Sequence, residues 1–381
     1  MKARKKEQLK IAMLGHKRIP SREGGVEIVV EALSTRMTKW GHQVTCYNRG
    51  GHHVSGAEFD TCAMNEFDGV ALKTVWTLDR KGLAAVTASI SAAVCSAFSK
   101  ADVVHFHAEG PAFMCWLPKL FGKRVVVTVH GLDWQREKWK NGFGAKYIRA
   151  GEKMAVRYAD RIIVLSRNMQ NYFADTYGRD TVYIPNGVSK LNTVEVDEIA
   201  RKWGLAKESY VLYLGRLVPE KGCHYLIEAF RKVTTDKKLI IAGGTSDSED
   251  YVQFIKAMAA GDDRIIFTGF VQDRLLEELY SNAYVYVLPS NVEGMPLSLL
   301  EAMSYGNCCL VSDIPECVEV VEDKAEIFQN GNVEDLRMHL QRLCDDPAPV
   351  AKYKAEVLNY ICSKYSWDDV TDQTLKIYRG E

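Results

Sequence analysis

The sequence predicts an α/β protein built as two doubly wound halves, and three observations carry that reading. Short apolar, β-branched runs alternate with segments of helical spacing along most of the chain, the pattern of a parallel sheet covered by helices on both faces. The alternation stops at Pro185-Asn186-Gly187 and restarts after a poorly periodic polar stretch from Leu191 to Leu205. Each half opens alike, with a strand, a glycine and a loop carrying basic residues. Such folds bind ligand at the carboxyl ends of their strands, so the two halves are expected to face each other across a cleft.

In the first half, Lys10 to Leu14 reads as a buried strand, followed by Gly15, a polar loop from His16 to Glu23, and Gly24-Gly25-Val26 opening a helix that Gly41 closes. Further strands are expected at Val44 to Tyr47, Val103 to His107, Val125 to Val129, Arg161 to Leu165 and Val182 to Ile184. In the second half, strands are expected at Tyr210 to Leu214, Leu239 to Ala242, Ile265 to Phe267, Tyr284 to Leu288 and Cys308 to Val311. A last helix runs from Ser366, its N-cap, through Tyr378. The expected boundaries are 1–187 for an N-terminal domain, 188–365 for a C-terminal domain, and 366–381 for a helix that packs back on the first domain.

Composition bounds the chemistry. A chain of 381 residues can bury two or three cores. Its ten cysteines show no C-x-x-C pair and no regular spacing, which argues against a disulfide framework or a zinc site and for a reducing, cytoplasmic setting. No apolar run follows the N-terminal charges, and the uncharged stretch from Gly82 to Ser99 is alanine-rich with five Ser and Thr, so it reads as a core or interface helix, not a membrane span. The net charge of zero conceals a split at Asn186: 28 Lys and Arg against 17 Asp and Glu before it, a balance of +11, and −11 in the remainder. Either the basic face meets an anionic partner, a membrane surface or an acidic acceptor, or the two halves attract one another. Met1 to Lys10, with five basic residues and one acid, extends the basic face or forms a solvated tail. Nothing points to nucleic acid.

The most informative stretch is Glu293 to Gly306. After the strand ending at Leu288, Ser290 to Gly294 is a polar break, Pro296 suits the first helical position, and Gly306 fits just past the helix end. The N–H groups of Met295, Leu297 and Ser298, with the helix dipole, make an anion site. Glu293 precedes the helix and Glu301 stands one turn above Leu297, about 6 Å along the axis, so the pair suits neutral hydroxyls on either side of a phosphate. Taken singly, the two acids equally suit a helix-dipole contact and a solvated surface.

A second cluster strengthens the anion reading. Gly215-Arg216-Leu217-Val218-Pro219-Glu220-Lys221-Gly222 follows another strand, with Arg216 at the sheet edge and Lys221 at a helix N-terminus, where a cation opposes the dipole. An anion between them relieves the conflict, Arg forking over phosphate oxygens and Lys acting as a point charge. A surface pair between Lys221 and Glu220 is the alternative. Gly24 and Gly25 permit close backbone approach at another helix start. His130 follows a strand and precedes Gly131, so its ring can reach ligand at the sheet edge. His105 and His107 share one strand face, suited to packing or lining; no acid or cysteine is spaced to complete a metal site with them. Gly269-Phe270-Val271 can offer backbone groups to a base edge.

Together these motifs resemble the retaining glycosyltransferases of family four, which have the GT-B fold of two Rossmann-like domains. Glu293 and Glu301 in EGMPLSLLEAMSYG match the family's paired glutamates, GRLVPEKG its Gly-Arg and Lys-Gly element, GGVE its N-terminal glycine loop and IPNG its linker. The resemblance implies that Arg216 and Lys221 bind the donor diphosphate, Glu301 the ribose, and Glu293 with the amides of Gly294, Met295 and Leu297 the transferred sugar. It also implies that backbone near Val271 meets the base, that Gly25 approaches the phosphates, and that His130 contacts the sugar near its reacting carbon. It implies no metal and no cofactor, only a nucleoside-diphosphate sugar as substrate, with domain closure excluding water. The loop HKRIPSREGGVE resembles bacterial enzymes that extend surface polysaccharides, some of them rhamnosyltransferases, which implies a glycan or lipid-diphosphate-linked acceptor and peripheral work at the inner membrane face. A sugar-nucleotide epimerase, a phosphorylase and a non-catalytic partner subunit share the architecture; the retained Arg216, Lys221, Glu293 and Glu301 favour transfer.

Overall fold

A computed structural model describes residues 8–51, 64–80, 82–132, 134, 142–244 and 248–381. Of the basic segment Met1 to Lys10, residues 1–7 lie outside the described residues. The chain divides into two compact units, Met1–Asn186 with Trp367–Glu381, and Gly187–Ser366. Each is a Rossmann-like α/β domain.

Among the described residues, the first unit holds β1 (Lys10–Leu14), β2 (Gln43–Arg49), β3 (Glu66–Phe67), β4 (Val70–Val75), β5 (Val103–His107), β6 (Arg124–Val129), β7 (Arg161–Val164) and β8 (Val182–Tyr183). They lie in the order β3-β4-β2-β1-β5-β6-β7-β8, parallel except for β3 and β4. That short hairpin turns at Asp68-Gly69, both in the left-handed region, the sequence pair that such a turn demands. Strand order runs one way from β1 to β2 and the other way from β5 onward, so a crevice opens between the carboxyl ends of β1 and β5. The central strands β1, β5, β6 and β7 are buried on both faces, which explains their near-continuous apolar runs.

The second unit holds β9 (Tyr210–Leu214), β10 (Lys238–Ala242), β11 (Ile265–Gly269), β12 (Val285–Leu288), β13 (Cys308–Ser312) and β14 (Glu326–Phe328). Their order is β11-β10-β9-β12-β13-β14, and every neighbouring pair is parallel. Strand order reverses between β9 and β12, so the loops after Leu214 and Leu288 flank the switch point. Tyr210, Tyr213 and Tyr286 are fully buried in this sheet, each with its hydroxyl on a carbonyl oxygen, which lets large polar-tipped side chains fill the core.

The terminal helix Trp367–Arg379 belongs to the first unit. Arg36 ties it to the helix Gly25–Lys39 through Asp368 at 3.1 Å, and Arg124 Nε donates to the Ile377 carbonyl at 3.0 Å. Its Tyr378 is buried against His105.

Candidate functional site

In the second unit, the chain leaves β9 at Leu214, passes Gly215 and half-buried Arg216, makes one tight turn over Pro219–Lys221, and enters the helix Cys223–Phe230 through Gly222. Gly222 has φ +67°, and a Cβ there would lie 1.9 Å from the Pro289 carbonyl oxygen. Glycine therefore lets this loop sit directly on the loop that follows β12. The Asn291 N–H donates to the Glu220 carbonyl at 2.8 Å and fixes the contact.

The consequence is an ion pair between two of the sequence's candidates. Lys221 Nζ lies 2.5 Å from Glu293 Oε1, with side chains 17% and 5% exposed. Ser290 Oγ donates to the same oxygen at 2.8 Å, and Ser312 Oγ donates to the Ser290 carbonyl at 2.6 Å. This corrects two expectations. Lys221 sits in the tight turn, with Gly222 between it and the helix, and its charge is already answered by Glu293, not by Glu220. Beneath the loops, the Tyr213 hydroxyl donates to the Arg216 carbonyl at 3.0 Å. The Tyr286 hydroxyl lies 3.2 Å from the Leu214 carbonyl and 2.9 Å from Ser298 Oγ. Burial raises both phenols well above their ordinary range, so they stay protonated and hold the loop ends as donors.

The helix after β12 runs Leu297–Ser304, with Pro296 as its N-cap, one residue earlier than the first helical position expected of it. Pro296 is extended, and its carbonyl accepts from the Leu299 and Leu300 N–H groups. No carbonyl among the described residues accepts from the N–H groups of Leu297 and Ser298, as expected at a helix start. Met295 is buried under this end and Gly294 is half-buried. Glu301 is half-buried one turn up, its Oε2 3.4 Å from the Tyr280 hydroxyl, whose ring stacks on Tyr305 at 5.3 Å. Val271 is buried just past β11 at the same edge of the sheet.

In the first unit, Gly15 follows β1 with φ +104°, and a Cβ there would lie 2.2 Å from the His107 carbonyl oxygen. The loop that follows is tied to the next helix by Glu27, whose Oε1 accepts the Lys17 N–H at 2.8 Å. His16 Nε2 lies 3.0 Å from Asn48 Oδ1, and Arg18 and Glu23 pair at 3.4 Å inside the loop. Gly24 caps the helix in an extended conformation and Gly25 is its first residue. The Glu of GGVE is thus a structural tie that its spacing from Lys17 did not reveal.

His130 stands at the end of β6, its Nε2 3.0 Å from Nδ1 of His107 at the end of β5. His105 lies two residues earlier, between the Tyr378 hydroxyl at 2.6 Å and Thr128 Oγ1 at 2.7 Å, and its ring stands 4.1 Å from that of His107. Both are fully buried, and burial lowers His105 to about 3 and His107 well below 6.5. They are neutral supports behind His130. His107 Nε2 is buried without a hydrogen-bond partner. An orphaned lone pair costs less than an orphaned N–H, so the favoured His107 tautomer donates from Nδ1 to His130 Nε2. No group of three His, Cys, Asp or Glu suited to a metal occurs among the described residues.

The comparisons with known proteins agree across both units. The family model described as Glycosyltransferase Family 4 matches residues 23–190, and that described as Glycosyl transferases group 1 matches residues 195–358. An uncharacterized glycosyltransferase of Methanocaldococcus jannaschii is 24% identical, covering 97% of this chain and 98% of its own. O-antigen chain mannosyltransferase B of Escherichia coli is 29% identical over 52% of this chain and 51% of its own. The structure of HepE from Anabaena, solved with UDP and glucose, superposes with a TM-score of 0.80 at 16% identity, covering 98% of this chain and 100% of that one.

Proposed function

The chain belongs to the glycosyltransferases, its halves matching the family-four and group-1 models, and from that premise we propose the sugar it moves travels from a nucleoside diphosphate to a glycan or lipid-linked acceptor hydroxyl, with retained anomeric configuration. The mannosyltransferase relative that builds O-antigen chains supports a role in cell-surface polysaccharide synthesis. The observation that carries the assignment is the Lys221–Glu293 pair beside Arg216 at the switch point of the second unit. A site that must release a diphosphate needs fixed cations there, and this one is held in place by a buried carboxylate.

In this reading Arg216 forks over the diphosphate, Lys221 adds a point charge, and the Leu297 and Ser298 amides complete the cradle. Glu293 keeps Lys221 in place and, with Gly294 and Met295, takes sugar hydroxyls. Glu301, steadied by Tyr280, accepts from the ribose, and the backbone at Val271 meets the base. In the first unit, Gly24 and Gly25 allow close backbone approach to a phosphate, and His130 contacts the transferred sugar near its reacting carbon. The acceptor oxygen forms its bond to the anomeric carbon on the face that the phosphate leaves, the bond from that carbon to the phosphate oxygen breaks, and the departing phosphate takes the acceptor's proton. Arg216 and Lys221 supply the cationic stabilisation, so the reading calls for no metal and no cofactor.

No helix among the described residues is long and apolar enough to cross a membrane. Peripheral action at the inner membrane face, on a lipid-diphosphate-linked acceptor, is part of the proposal. The test is transfer from a panel of nucleoside-diphosphate sugars to a membrane-lipid extract, with the new linkage read by NMR. A product with the donor's anomeric configuration supports the reading; an inverted product, or a donor sugar altered without acceptor, contradicts it.

A further inference from the structure

The helix Ala84–Ala97 is built inside out. A surface helix ordinarily buries its large apolar residues and shows polar ones to water. Here the inward face is small, with Ala84, Ala88, Ala92 and Ala97 buried. The outward stripe is Leu83, Ile90, Val94 and Phe98, exposed by 46%, 41%, 40% and 70%. Their spacing of seven, four and four residues keeps them on one face. Thr87 falls on the same stripe, but its hydroxyl is turned back to the Leu83 carbonyl at 2.9 Å. The neighbouring helix Trp116–Leu120 extends the patch with Leu120 and Phe121, and the rings of Phe98 and Phe121 meet edge to face at 4.6 Å. Half of the large exposed apolar side chains described in the protein are these six.

The patch is rimmed by cations. Arg80 is exposed at one end, its carbonyl accepting the Leu83 and Ala84 N–H groups. Lys100 is exposed at the other, where Lys123 Nζ donates to the Ser99 carbonyl at 2.8 Å. The sequence has no Asp or Glu between Arg80 and Lys100, and of the flanking acids Asp102 is taken up by the Lys10 N–H at 2.8 Å. We propose that this face docks on an anionic phospholipid surface, Phe98, Phe121 and the stripe entering the headgroup boundary while Arg80, Lys100 and Lys123 meet lipid phosphates. Charge decides the occupant: a second copy of the chain would bring the same cations together, whereas anionic lipid complements them. The inference rests on the lipid-linked acceptor proposed above and gives it a place. The helix crosses from the end of β4 to the start of β5, so its Leu83 end lies at the sheet edge that carries Gly15 and His130.

The test is flotation with vesicles of 30% phosphatidylglycerol in phosphatidylcholine, at low and high salt, against pure phosphatidylcholine. The wild type should float with the anionic vesicles and lose binding as salt rises. Phe98→Ser with Phe121→Ser should weaken binding at least tenfold, as should Arg80→Gln with Lys100→Gln. Both variants should keep nucleoside-diphosphate binding, which separates failure of this inference from failure of the transferase reading. Absence of wild-type flotation, binding unaffected by either variant, or a dimer that the Phe98/Phe121 variant dissociates would overturn the proposal.

Discussion

Lys221 and Glu293, 72 residues apart in the chain, meet at 2.5 Å where strand order reverses in the C-terminal unit. Glu293 is nearly removed from water, so deleting its partner strands a charge. Lys221→Met should cost about 2–3 kcal/mol in urea unfolding, below the range for a fully buried pair because Lys221 keeps some exposure. The double variant Lys221→Met/Glu293→Gln should recover part of that loss but none of the transfer rate. Additive stability effects in the cycle would contradict a coupled pair.

His107 holds His130 at 3.0 Å. His107→Phe keeps the ring volume and removes the hydrogen bond that positions His130, so kcat should fall about 10-fold, less than the ~100–1000-fold for losing a preorganised donor outright. Donor affinity should be unchanged. An equal change in KM with constant kcat would mean that His107 acts only in packing.

Stability should fall below neutral pH. Burial lowers His16, His105 and His107 below their ordinary 6.5, His105 to about 3. As pH drops through 6.5 the unfolded chain takes up protons that the folded chain refuses, and each such histidine removes up to about 1.4 kcal/mol per pH unit. Carboxylates held low, such as Glu278, act mainly below about 4.5, and Glu31, whose carboxyl burial raises, works in the opposite direction, so a net fall in the urea midpoint between pH 7.5 and 5 reports the histidines. A midpoint constant over that interval would contradict the neutral cluster.

Gly222→Ala should unseat the Arg216 loop. The new Cβ meets the Pro289 carbonyl oxygen at 1.9 Å, beyond the ~1–2 kcal/mol of left-handed backbone alone. Loss of nucleoside-diphosphate binding together with a lower Tm is expected; a variant with wild-type binding would show that the two loops need not touch.

The strands of both sheets were legible because parallel, doubly buried strands leave unbroken apolar runs, as at Val103–His107 and Tyr210–Leu214. The short strands β3 and β14 were not, since two or three residues carry no period, although Asp68-Gly69 signals the first hairpin; nor was β4, whose exposed Lys73 and Thr74 break its apolar run. Of the candidate site, Arg216, Lys221, Glu293 and Glu301 could be named from their loops. The Lys221–Glu293 bond could not, because only the folded sheet order brings β9 and β12 together. The sequence reads His107 as packing or cleft lining; the clue that it supports His130 was that the two sit at the ends of strands that prove to be neighbours.

The central claim, a nucleoside-diphosphate site built on Arg216 and Lys221, is tested most directly by thermal shift with UDP, GDP, ADP and dTDP in chelator, for the wild type and Arg216→Ala. At 100 times Kd, one nucleotide should stabilise the wild type by about 2.7 kcal/mol, with the shift lost in the variant and kcat reduced at least ~100-fold. Equal shifts in the two proteins, or none with any nucleotide, would contradict it.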